Sequence, residues 1–586
     1  MTGSPARVWA PFAERVDLVT AAGSEPLRAE GGGWFGADRG LGHGERYGFC
    51  LDGGPVRPDP RAVWLPDGVH GPAAGYRHSR FAWTDAGWAG RSWPQAVLYE
   101  LHVGTFTPQG TFDAAAARLP HLVDLGVSHV ELMPVCAFDG VAGWGYDGVA
   151  PWAVHEPYGG PDGLKRFVDA AHDAGLAVLL DVVHNHLGPR GSYLAEFGPY
   201  FTDRYRTPWG AAVNLDEAGS DEVRGYLLGS IEAWLRDFHL DGLRLDAVHE
   251  LRDNRAVTFL EEVSVCVDAL AVELGRPLVV VAESDRNDPR TVTPRSEHGL
   301  GLTAQWDDDV HHAVHVLLTG EAQGYYADFA ADTATAVRKA LTGAFVHDGT
   351  YSSFRGRTHG RAIDRAAVPG YRFVAALQTH DQVGNRARGE RLSMLVGPGP
   401  LAAGAALVLL GPYVPMLFMG EEWGAATPWQ FFSSFDDPVL AATVTRGRRD
   451  EFVAHGWPTG DVPDPQHPAT VARSVLDWDE PAHQPHADLL GWYRRLLQLR
   501  REVPDLHDPD LRRVQVDVPA AGRTVVLHRG RHRVLAAAGQ GPADVRLDAP
   551  VGTVLAALCP DGAAEVDGTR VLLPGPGAVV LALTPP

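Results

Sequence analysis

The chain is poor in cysteine, in positive charge and in long apolar runs. Four cysteines stand among 586 residues (Cys50, Cys136, Cys266 and Cys559), each far from the next. They make neither a disulfide framework nor a CxxC metal pair. Lysine and arginine number 51 against 73 aspartates and glutamates, a formal charge of −22. That excess repels phosphate backbones and anionic headgroups, which argues against nucleic acid and membrane surface as partners. No run approaches the roughly 18 apolar residues of a membrane span. The first twenty residues lack a basic region followed by an apolar one, so no secretory signal is read there. The expectation is a soluble cytoplasmic enzyme without internal repeats or low-complexity tails.

At about 150 residues per domain, the length suggests three or four domains and leaves room for a large core. The 67 glycines and 44 prolines are spread throughout, which predicts many short elements joined by ordered turns. Residues 1–90 alternate short β-type runs with turns, as in ArgValAspLeuVal from Arg15 and ArgTyrGlyPheCysLeu from Arg46. They read as an N-terminal β-sandwich, followed by a linker at about 85–95. Within 91–506 the rhythm changes. Eight apolar runs (Ala96–Val103, Ser128–Val135, Ala177–His184, Gly242–Val248, Leu278–Glu283, Leu302–Trp306, Phe373–Thr379 and Val414–Glu421) alternate with helical patterns such as Asp113–Leu125, Gly160–Ala174, Asp221–Phe238 and Arg255–Leu274. Runs apolar on both faces predict buried parallel strands, and eight of them suit an α/β fold of the (β/α)8 TIM-barrel type with a short insertion at 187–220. An open doubly-wound sheet is the alternative; no GxGxxG follows the first strand to favour it. After the helical stretch Ala487–Arg501, residues 507–586 return to β patterning and predict a C-terminal antiparallel β-sandwich.

A (β/α)8 barrel assembles its active site at the C-terminal ends of its strands, so what caps each run matters. The third ends AspValValHisAsnHis (Asp181–His186), the fourth reads AspGlyLeuArgLeuAspAlaValHis (Asp241–His249), the fifth ends AlaGluSerAsp (Ala282–Asp285) and the seventh ThrHisAspGln (Thr379–Gln382). Singly, each acid could cap the following helix. Four acid-ended strands at one rim point to chemistry. Asp181 reads as a structural partner that orients Arg244, and His184 and His312 as packing or surface histidines.

In these segments the sequence resembles the α-amylase superfamily of glycoside hydrolases, whose four signature segments appear in order at Asp181–His186, Gly242–His249, Glu283 and Thr379–Asp381. The resemblance implies Asp246 as nucleophile, Glu283 as general acid/base and Asp381 as the carboxylate that stabilises the transition state. It also implies His186 and His380 as hydrogen-bonding partners of the sugar, and Tyr146 of GlyTrpGlyTyrAsp as its stacking platform. Arg244, two residues before Asp246, shares its strand face and is expected to hold it ionised. A retaining enzyme needs a carboxylate nucleophile about 5–5.5 Å from a second carboxyl of raised pKa, and Glu283 ends a wholly apolar run suited to keeping its proton. Asn185 lies where many amylases bind calcium, but the stretch from Leu187 to about Ser220 that would supply the other ligands is short and shows no evident acidic cluster beyond Asp203 and Asp216, so no metal and no cofactor is expected.

A β-sandwich before the barrel resembles the branching, debranching and trehalose-releasing members. The segments Ala282–Arg290, Gln305–His312, Leu317–Tyr326, Leu377–Asn385, Met416–Trp423, Phe431–Phe435 and Gly447–Phe452 resemble the trehalose-releasing ones. The implied reaction hydrolyses the α-1,4 bond beside the terminal trehalose of a maltooligosyl trehalose. The implied partners are that substrate and α-1,4-glucans, with functional pairing to a trehalose-forming isomerase. Trp306, Asp307, Asp309, Tyr325 and Tyr326, on the loops after strands five and six, are the candidates for recognising the trehalose end; loop packing and solvated charge are their plain alternatives. Two rivals stay open: a 1,4-α-glucan branching enzyme, and a non-catalytic amylase-like glycan-binding protein, whose kind usually loses one of the three carboxylates present here.

Overall fold

Eight short apolar segments close into a parallel barrel in chain order in the computed structural model, which describes residues 5–454, 462–519 and 523–585. They are β1 (Leu98–Leu101), β2 (His129–Leu132), β3 (Ala177–Val182), β4 (Gly242–Leu245), β5 (Val279–Ala282), β6 (Ala304–Trp306), β7 (Phe373–Ala376) and β8 (Val414–Phe418). Each falls inside one of the expected runs, and β8 pairs back onto β1 through Met416 and Leu98. Closure removes the open-sheet alternative. Every residue of the eight strands is buried, because helices cover one face and the barrel's own interior the other; hence the largely apolar runs.

Strand alternation divides the interior into two levels. Leu98, Leu179, Val279, Val281, Ala304, Val414 and Met416 form an apolar plug. Two residues further along their strands, Glu100 and Asp181 stand at the same level as Glu131 and Arg244, all buried. A charged layer thus rests on an apolar one, toward the strand ends where the acid-capped segments lie.

The helices follow the predicted patterns with instructive exceptions. Asp113–Leu125 is two helices, Phe112–Ala116 and Leu119–Leu125, because Pro120 sits in the first turn of the second. α1 spans Gly160–Asp173 and α2 Ser220–Glu232, the latter continued by one π-helical stretch, Ala233–Asp237. α3 starts only at Phe259, where Thr258 and Glu261 form a capping box. α4 (Asp308–Thr319) follows β6 directly. The 187–220 insertion holds a helix, Leu194–Phe197, and a hairpin of Phe201–Thr207 with Gly210–Val213.

Before the barrel, Pro5–Trp9, Trp34–Gly40 and Arg28–Gly31 form one antiparallel sheet, and Gly23–Pro26, Val16–Thr20 and Arg46–Leu51 belong to a second. After it, a five-stranded sheet from Val514 to Leu583 packs on the buried helix Pro398–Leu409, beside a three-stranded sheet. The stretch read as a linker is packed rather than free. Trp88 stacks on His172 (centroids 4.4 Å) and donates to Asp241 at 2.8 Å, while Trp93 joins the inner barrel cluster and donates to the Tyr371 carbonyl at 2.9 Å. Among the described residues no helix is long and apolar enough to cross a membrane.

Candidate active site

The tops of β4 and β5 are laced together by their backbones. Glu283 N–H donates to the Leu245 carbonyl (3.0 Å), and Val248 N–H to the Glu283 carbonyl (3.0 Å). Asp246 and Glu283, each the first residue beyond its strand, therefore stand side by side. Between them Ala247 takes φ 39°, a left-handed conformation that costs a β-carbon residue of order 1–3 kcal/mol. That turn aims its N–H at Glu283 Oε2, 2.6 Å away.

One guanidinium organises the carboxyls. Arg244 Nη1 donates to Asp246 Oδ1 at 2.8 Å and to Asp181 Oδ2 at 2.7 Å, and Nη2 lies 3.4 Å from Glu283 Oε2. Arg244 is 0% exposed, with the Trp306 ring 4.2 Å from its Cζ. Asn185 Nδ2 holds Asp246 from the other side, at Oδ2 (2.8 Å) and at the backbone carbonyl (2.7 Å). The position that suggested calcium is thus committed to the nucleophile candidate.

Burial, with the negative charges of Asp246 and Asp381, pushes Glu283 up to about 8 although Arg244 opposes it. Asp181 is likewise raised by burial, to about 6, against the pull of Arg244. His380 lies between Glu100, with Nδ1 2.5 Å from Oε1, and Asp381, with Nε2 3.4 Å from Oδ1. Burial alone would lower its pKa, but the Glu100 and Asp381 charges outweigh that and hold it up at about 9. Thr379, not Asp381, caps the short helix His380–Gly384, and the Asp381 side chain stays 41% exposed. Tyr146 donates to Asp181 at 2.5 Å and stacks on His380 (5.1 Å). His186 lies between the Asn185 side chain and the Tyr146 carbonyl.

The loop candidates divide. Trp306 is buried in the inner cluster beneath Arg244. Asp307 caps α4 through the Val310 N–H, and burial raises its pKa well above the carboxylate range. Asp309 accepts from Asn287 Nδ2 and from the N–H groups of Val346 and His347 (2.7–2.9 Å). Tyr326 is buried against His315. These four are committed to packing and capping. Tyr325 differs: it is half-buried over His312, and the charges of Asp308 and Asp381 reach it.

Two residues escaped the sequence reading. Asp308, between the two named aspartates, has no hydrogen-bond partner among the described residues; burial and the Asp381 charge raise it to about 7. Trp209, half-exposed at the hairpin tip, stacks flat on His186 with centroids 4.1 Å apart. ThrProTrpGly between two short β-type runs was a legible turn signal for it. Among the described residues no group of three or more His, Cys, Asp or Glu is placed to hold a metal ion.

A closed parallel barrel with these carboxyls at its rim defines a glycoside hydrolase of the α-amylase family, and the family model "Alpha amylase, catalytic domain" matches residues 78–207. A malto-oligosyltrehalose trehalohydrolase of Arthrobacter ramosus is 52% identical over 581 residues, covering 98% of this chain and 99% of its own. One from Mycobacterium tuberculosis is 50% identical over 543 residues, 92% of this chain and 93% of its own. A crystal structure of a Salmonella typhimurium protein matches with a TM-score of 0.89 and 38% identity, covering 99% of this chain and 97% of that one. The chain belongs to the malto-oligosyltrehalose trehalohydrolase family of glycosidases.

Proposed function

We propose that this protein is a retaining glycosidase that cleaves the α-1,4 bond beside the terminal trehalose of a maltooligosyl trehalose and releases trehalose. The observation that carries the mechanism is the shared guanidinium: Arg244 contacts Asp246 and Glu283 at once, and burial with the neighbouring negative charges drives Glu283 up to about 8 against its pull. Two carboxyls set apart by environment are what the acid and nucleophile roles require. Protonated Glu283 gives its proton to the leaving oxygen while Asp246 forms the bond to the anomeric carbon. The resulting carboxylate of Glu283 then takes a proton from water as that water cleaves the glycosyl-enzyme. Asp381, exposed beside cationic His380, and Tyr146 supply the contacts that hold the sugar ring. The reading includes a cytoplasmic location, binding of α-1,4-glucans, and a partner isomerase that forms the trehalose end. The flanking β units, 1–90 and 507–586, are read as supports for the barrel.

Product analysis tests it. Maltopentaosyl trehalose should yield trehalose, while maltopentaose is cleaved far more slowly. New α-1,6 branches from amylose without trehalose release would make the protein a branching transferase instead, and inertness toward every α-glucan would make it a binding module.

Two smaller effects belong here. Trp209→Ala should raise KM several-fold and leave kcat within about threefold, because it removes a platform beside the sugar but no reacting group; steady-state kinetics check this. Asp308→Asn should move the alkaline limb of kcat/KM to lower pH. In wild type that limb falls as Glu283 loses its proton near pH 8, and removing a neighbouring negative charge lets Glu283 ionise sooner. A limb that stays in place would separate Asp308 from the catalytic acid.

A further inference from the structure

A cavity of about 770 Å3 lies outside the catalytic pair, walled by the insertion strand Phe201–Thr207, the loop after β4, the start of α3 and the segment after β5. Five arginines line it, Arg204, Arg206, Arg252, Arg286 and Arg290, in a chain whose net charge is −22. The carboxylates on the same wall are spent. Asp253 binds Arg224 (2.8 Å) and the Phe259 N–H (2.6 Å), Glu261 closes the capping box, and Asp288 holds Arg290. Arg252 and Arg204 have partners in Glu250 and Glu217. Arg206 and Arg286 have no carboxylate within ion-pair distance among the described residues. Among the described residues the Arg286 guanidinium donates only to the His249 carbonyl, at 2.8 Å. Burial and the neighbouring Arg252 charge weaken its hold on its proton, outweighing the opposing charges of Asp285, Asp288 and Glu250.

Guanidinium groups recognise phosphate through paired, charge-assisted hydrogen bonds. The volume exceeds what a bare phosphate fills and suits a small organic ligand, and Ser284 on the wall, whose Oγ accepts from the Arg286 N–H at 3.3 Å, has a hydroxyl proton to offer a polyol. We propose that this cavity binds a sugar phosphate, with Arg206 and Arg286 on the phosphate and the Ser284 hydroxyl on the sugar. The site touches the catalytic acid's own backbone: Ser284 follows Glu283, and Val248 on the wall donates to the Glu283 carbonyl at 3.0 Å. Occupancy therefore changes the trehalose-releasing rate from beside the reacting groups; this last clause rests on the proposed function, whereas the binding does not.

Isothermal titration of the full chain with glucose 6-phosphate, inorganic phosphate and glucose tests it. The expected result is saturable binding of glucose 6-phosphate at one site per chain, at least about tenfold weaker binding of phosphate, and none of glucose. Arg286→Ala and, separately, the exposed Arg206→Ala should each weaken glucose 6-phosphate about tenfold or more, with the thermal midpoint of the Arg206 variant unchanged. Three results would overturn the proposal: no saturable binding at millimolar sugar phosphate, binding that both variants leave intact, or displacement by neutral maltotriose, which would make the cavity a glucan subsite. Binding with no trehalose release from the wild type would instead count against the proposed function alone.

Discussion

Asp246→Ala and Glu283→Gln are each expected to lower kcat by on the order of 10^4-fold or more without loss of secondary structure, and azide should tell the two roles apart. In Glu283→Ala, a good leaving group still allows the glycosyl-enzyme to form on Asp246. Azide, which needs no general base, then enters from the face the leaving group vacated and gives the α-glycosyl azide. In Asp246→Ala, azide fills the space of the lost carboxylate, attacks from the opposite face, and gives the β-anomer while Glu283 still protonates the leaving oxygen. The same anomer from both variants would remove the nucleophile assignment, and wild-type turnover in either would remove that residue from the chemistry.

The second large effect is on Arg244. Replacing it with methionine keeps much of its volume but strips three carboxyls of the cation they share, a cation that is itself 0% exposed. Breaking a buried pair by removing one partner costs about 3–5 kcal/mol, and turnover should fall with it because Asp246 loses its orientation. Arg244→Lys should be intermediate: it restores charge, but one ammonium cannot reproduce the forked contacts. The sign with pH is fixed by the acids. Without the cation, Asp181 and Glu283 bind protons more tightly, so the variant's stability deficit should shrink as pH falls and they become neutral. Thermal denaturation from pH 8 to pH 5 measures this. A deficit that grows on acidification would place the main role of Arg244 elsewhere.

The barrel was legible because its strands are buried on both faces and largely apolar, a pattern few other elements share. The exceptions are local. Pro120 splits a helix that the apolar spacing alone reads as one, and the hairpin of the insertion carries polar residues such as Thr202, Asp203 and Arg204 that hide its strands. At the site, position at a strand end sufficed to bring Asp246, Glu283 and Asp381 to one rim. What could not be read was phase. Among Asp307, Asp308 and Asp309 everything depends on where α4 begins: the first caps it, the third turns back to Val346 and His347, and only the middle one stays unpartnered. Nor could the sequence pair Glu100 with His380, 280 residues away, since no local rule connects strand one to strand seven.

The segment that enters the barrel from the N-terminal sheets works as a stopper. Trp93 occupies the lower mouth, and Trp88 clamps the His172 that bridges Asp85 (2.8 Å) and Asp241 (3.0 Å). Cutting the chain after residue 90 would therefore pull Asp85 and Trp88 out of the base of β4, the strand that delivers Asp246 at its far end. A truncation of the leading sheets that also removes residues 85–93 strips that strand's base of its clamp and the barrel's lower mouth of its stopper.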